Sequence, residues 1–104
     1  MFISYFTDTI KQFPTKVNKD EIILLKPNKS GSMDELWLGK VVNMKTKAQF
    51  EWCVCIDGSW KIGAVQPSTG SVHISGILAS FCNWAGEGTM PDDLCKMLKY
   101  IIHS

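Results

Sequence analysis

The sequence predicts an α+β domain: an N-terminal helix, a mainly antiparallel four- to five-stranded sheet, and two C-terminal helices packed on one sheet face. Three observations predict it. Apolar residues recur at helical spacing near both ends of the chain. From Asp34 to Ser75 the signals are β, with short runs rich in Val, Ile, Trp and Phe. The connections between those runs are short, so neighbours in sequence are expected to pair antiparallel.

Ile3, Phe6, Ile10 and Phe13 mark a helix over 3–13, which Pro14 stops. Glu21–Lys26 is a short, continuous apolar run closed by Pro27, and its length favours a buried strand. Pro27–Ser32 reads as a polar loop. Further strands are expected over Glu35–Met44, Gln49–Ile56, Trp60–Gln66 and Ser71–Ser75. Ser75 suits the N-cap of a helix whose apolar face is Ile77, Leu78, Phe81, Trp84 and Ala85, with Gly86 just past its end. The last helix begins near Pro91. Asp92 and Asp93 favour its N-terminus, and Leu94, Met97, Leu98, Ile101 and Ile102 make its apolar stripe.

The 104 residues suit one domain spanning 1–104, without repeat or linker. A composition of 45% hydrophobic and 20% charged residues is that of a globular protein. No apolar run approaches the ~18 residues of a membrane span, so no membrane partner is expected. Asp8 interrupts the apolar start, which lacks a basic region and a small-residue cleavage site; a cytoplasmic location is therefore expected. The basic residues are 11 lysines and no arginine, and net charge is +1, which argues against a nucleic-acid partner. Cys53, Cys55, Cys82 and Cys95 contain no C-x-x-C pair and are expected as free thiols.

The stretch Phe50–Trp60 holds the chemical question, because Cys53 and Cys55 stand there between two tryptophans. Strand alternation puts Phe50, Trp52, Val54 and Ile56 on one face, and Glu51, Cys53, Cys55 and Asp57 on the other. A two-residue loop at Asp57–Gly58 would set Val54 opposite Lys61 and mix charge into the apolar face. A three-residue loop of Ile56, Asp57 and Gly58 with a G1 bulge pairs Val54 with Trp60, Trp52 with Ile62 and Phe50 with Ala64. The bulged loop is preferred, since register follows the hydrophobic pattern. The cysteines then lie on the less apolar face. A zinc site would need Cys82, Cys95 or His73 to converge on them. A nucleophilic cysteine would need a base, for which His73 is better placed than His103.

Other constellations carry less. Asp92–Asp93 is explained by the helix dipole. Gly86-Glu87-Gly88 lacks the Lys-Ser/Thr of a phosphate loop. Trp52, Trp60 and Trp84 fall on core stripes. Trp37 lies in a strand apolar on both faces, which predicts a central strand whose second face is covered or sticky.

By elimination, the sequence points to a protein that acts by stoichiometric occlusion of another protein, such as a toxin or an enzyme. Toxin-neutralising immunity proteins and phage-encoded inhibitors of defence have this profile of size and composition. No catalytic, cofactor or metal residue is assigned. The expected binding surface is the sheet face bearing Glu51, Cys53, Lys61 and His73, an interface of about 800 Å² per partner. Two alternatives stand beside it: a small-molecule-binding or sensory domain, and a small enzyme using Cys53 or Cys55 with His73.

Overall fold

The computed structural model describes residues 10–26 and 36–103. The strands are β1 (Ile10–Gln12), β2 (Ile22–Leu25), β3 (Leu38–Met44), β4 (Ala48–Ile56), β5 (Ser59–Ile62), β6 (Thr69–Val72) and β7 (Ile77–Phe81). A 3-10 turn, Ile74–Gly76, precedes β7, and one α-helix, α1 (Asp92–His103), follows it. All seven strands belong to one antiparallel sheet of order β1-β7-β2-β3-β4-β5, with β6 also pairing β4. β5 and β6 share one edge of β4: β5 takes Cys53–Ile56 and β6 takes Ala48–Glu51.

The sheet must curl. β4, β3 and β2 separate β6 from β7, about 19 Å across a flat sheet at ~4.8 Å per step. Only His73, Ile74, Ser75 and Gly76 bridge that gap, and three of them form a 3-10 turn rising about 2 Å per residue. Curling brings Val72 and Ile74 against Phe50, Val41 and Ile77 in one apolar cluster. Phe50 is the centre of that concave core. Gly39 and Gly70 flank it on neighbouring strands, and a side chain on either would collide with its ring.

The opposite face carries the larger core. Ile22, Leu24, Leu38, Cys53, Ala79 and Phe81 point into it, and α1 covers it with Leu94, Met97, Leu98 and Ile101. The periodicity of α1 is the one foreseen, and Asp92 and Asp93 lie in its first turn. Residues Ile22–Leu25 are buried on both faces, because β2 lies between β3 and β7 with a core on either side.

Three expectations are corrected. The described end of the expected N-terminal helix is not helical: Ile10–Gln12 is a strand, and residues 3–9 of the expected helix lie outside the described residues. The first of the two expected C-terminal helices is β7, so α1 alone follows the sheet. Both errors have one cause. Ile77, Leu78 and Phe81 fit a helical stripe, but a short apolar run between two sheet neighbours fits equally well. The misread segments pair with each other, Ile10 opposite Phe81 and Gln12 opposite Ala79. The expected sheet of four to five strands therefore has seven among the described residues.

The third correction concerns register. Ile56 pairs with Ser59, Cys55 with Trp60, Val54 with Lys61 and Cys53 with Ile62, so the loop has two residues and no bulge. Asp57 (φ 53°) and Gly58 (φ 80°) both adopt positive φ, the signature of a type I′ turn. The bulged register rested on one apolar face. Here both faces are apolar, so Cys53 and Ile62 gain burial beneath α1, while Lys61 remains exposed beside Val54 near the sheet rim.

Candidate functional site

β3 and β4 part company at one pair. Leu38 opposite Cys53 is the last pair of the two strands among the described residues. The Trp37 carbonyl accepts from the Leu25 N–H at 2.8 Å, which holds the residue before β3 to β2. β4 continues to Ile56, held on its other side by β5. A cleft of about 650 Å³ opens where the strands diverge.

Residues from both sheet faces line it, because the gap between strands lets them meet. Leu36 and Trp37 form one wall, and Cys53, Val54 and Cys55 form the opposite one. On the concave side stands Trp52 and on the helix side Trp60, Cys95 and Lys99, and the β5–β6 loop residues Val65, Gln66 and Pro67 complete the lining. The Gln66–Pro67 peptide is cis.

The aromatic groups are mutually braced. Trp52 meets Trp37 edge to face at 5.8 Å and Phe50 at 4.8 Å between ring centroids. Trp60 meets Trp84 the same way at 5.6 Å. Edge-to-face pairs of this kind contribute about 0.5–1.5 kcal/mol beyond their buried area. Trp37 Nε1 is buried without a hydrogen-bond partner among the described residues.

Main-chain groups also face the gap. Trp52 donates to the Ser68 carbonyl and accepts from the Gly63 N–H, both at 2.9 Å, so its peptide groups point toward β5 and β6. Strand alternation directs those of Val54 the same way and those of Cys53 and Cys55 toward β3. Cys53 meets Leu38 there. Cys55 meets no strand on that side among the described residues.

The four residues expected to share a surface do not share a face. Glu51 and Cys53 lie on the helix side of β4, and Lys61, opposite Val54, lies on the other. Cys53 is only 2% exposed and sits in the core. Burial pushes its thiol up to about 12, so it is protonated at neutral pH and is not an activated nucleophile. His73 caps the 3-10 turn, with Nδ1 accepting from the Ser75 N–H at 3.2 Å. It follows Val72, the partner of Ala48, and so lies at the far end of β4 from both cysteines. The thiol–imidazole arrangement of a cysteine enzyme is therefore not assembled. Among the described residues, no three His, Cys, Asp or Glu side chains converge to hold a metal ion. Cys53, Cys55, Cys82 and Cys95 are free thiols. Among those residues, too, no helix is long and apolar enough to cross a membrane.

Sequence reasoning took Trp52 and Trp60 for core residues and did not single out Lys99 or the Val65–Pro67 loop. The signal that pointed here was Trp37, in a strand apolar on both faces. Comparisons with known protein families, with curated proteins and with solved structures give no match to this chain.

Proposed function

We propose that the chain is a stoichiometric protein-binding domain whose contact site is the cleft between β3 and β4. One observation carries this reading: three tryptophans and a strand edge that no described strand pairs are gathered around an open apolar cleft. Tryptophan is enriched where a few residues dominate binding energy, and an exposed apolar patch is characteristic of an interaction surface. The role is that of a toxin-neutralising or defence-inhibiting protein, which acts by covering its partner. A cytoplasmic setting agrees with four free thiols.

A second reading has its own observation. About 650 Å³ lies within the range of small-molecule pockets, so a sensory or ligand-binding role is the alternative. One experiment separates them. The chain and its Trp37→Ala variant are immobilised side by side and exposed to cell lysate, and captured protein is titrated back against the free chain. The protein-binding reading expects a partner that saturates at one to one and is lost with Trp37→Ala. A folded variant that captures the same partner equally well would remove the cleft from the interface.

A further inference from the structure

We propose that the cleft admits an extended, acidic segment of the partner, which adds as a strand to the edge of β4 at Cys55, where no described strand pairs. The inference rests on the protein-binding reading and specifies the partner's chemistry. Three features of the site converge on it.

The first is the edge. Past the Leu38–Cys53 pair, no described strand faces Cys55, while β5 holds β4 extended from its other side. An N–H and a carbonyl directed into an apolar cleft favour an occupant that supplies both complementary groups at strand spacing, which is peptide backbone. The second is the placement of the aromatic walls. An added strand sends alternate side chains to opposite faces. Trp37 and Trp52 stand on one face and Trp60 on the other, so apolar side chains of either parity meet an indole.

The third is charge. Among the described residues lining the cleft, Lys99 is the one that carries a charge. It lies on the helix side, with Trp60. A segment whose side chain of that parity is Glu or Asp places its carboxylate toward the ammonium, whereas a basic segment meets like charge in an apolar setting.

The test is selection of random dodecapeptides displayed on phage against the full chain, followed by titration of the synthetic winners using intrinsic tryptophan fluorescence. Enriched peptides are expected to alternate apolar residues with at least one acid. Lys99→Glu, on an exposed helix position, is expected to weaken them roughly tenfold or more. Replacing the peptide's acid by Lys is expected to recover affinity for that variant. Methylating the peptide nitrogen that faces Cys55 is expected to abolish binding. Winners indifferent to Lys99→Glu, winners indifferent to backbone methylation, or no winners at all would overturn the inference. So would a small molecule recovered from the native protein by mass spectrometry, or a concentration-dependent dimer dissolved by Lys99→Glu; these would assign the cleft to other occupants. The protein-binding reading fails separately, by the lysate capture that ignores Trp37→Ala.

Discussion

Gly86 lies directly over Cys53: a Cβ on Gly86 would stand 3.2 Å from the Cys53 sulfur and 2.9 Å from Ile22 Cδ1. The loop after β7 thus descends onto the core at a residue with no side chain, and β4 answers with a small one. Gly86 also has φ +87°, a conformation that other residues adopt only with strain. Two bonds secure the same loop, Trp60 N–H to Gly88 O at 2.8 Å and Gly88 N–H to Trp60 O at 2.9 Å.

Gly86→Ala is therefore expected to destabilise more than Gly58→Ala. Gly58 has φ +80° and nothing within 4 Å of its missing Cβ, so its substitution costs only the conformational penalty, about 1–2 kcal/mol. Gly86→Ala adds overpacking of about 1–3 kcal/mol. Urea denaturation at unchanged slope measures both. Equal losses would show that Gly86 does not press on the core.

Alkali is expected to weaken the fold through Cys53. The folded protein holds this thiol up to about 12, from an ordinary value of 9.0, because burial penalises the thiolate. Below the ordinary value both states are protonated and the contribution is intact. Between the two values only the unfolded chain gives up the proton, so stability falls as pH rises through that window. Cys53→Ala should flatten that fall relative to the parent protein. Parallel profiles for the two proteins would place the alkaline loss elsewhere.

Thiol labelling at neutral pH should sort the cysteines by exposure. Cys55 and Cys82 are exposed, Cys95 is half-buried and Cys53 is buried. A bulky disulfide reagent is expected to modify Cys55 and Cys82 promptly and Cys53 only on unfolding. Peptide mapping after a short pulse reads the order. Early modification of Cys53 would contradict its place beneath Gly86.

Phe50→Ala should cost about 3–5 kcal/mol, as for a buried aromatic side chain. The ring is 2% exposed and lies against Gly39 and Gly70, leaving a void that neighbours with no side chain cannot fill. Ile56→Ala, on the same side of the same strand but 40% exposed, should cost under about 1 kcal/mol. Similar midpoints in urea would mean that the concave core does not centre on Phe50.

Much of the sheet was legible. The runs at 21–26, 35–44, 49–56 and 60–66 hold most of β2 to β5, and the terminal stripe became α1, because alternation and capping are local signals; the run at 71–75 meets β6 only at Ser71 and Val72, with Ile74 and Ser75 in the 3-10 turn. β1 and β7 were not legible, because their identity comes from pairing with each other across most of the chain. The Asp57–Gly58 turn was misjudged for a related reason. Asp-Gly favours a two-residue turn, and the argument against it assumed that only one face of β4 is buried. The cleft was partly foreseen in the aromatic Trp37 strand. Its place was not, since it depends on where β3 leaves β4.

The pairing of Ile10 with Phe81 also sets an order of events during synthesis. A ribosome releases β2, β3, β4 and β5 in sequence, and each can zip onto its predecessor as it emerges. β2 then waits with one flank bare, and β1 has no strand to join, until the stretch Ile77–Phe81 clears the exit tunnel. During that wait the nascent chain displays Ile22-Ile23-Leu24-Leu25 as an open template, the kind of edge that recruits neighbouring chains. A chain cut off before Ile77 should therefore be a sticky product, whereas one that includes Ile77–Phe81 supplies the missing neighbour and closes the flank.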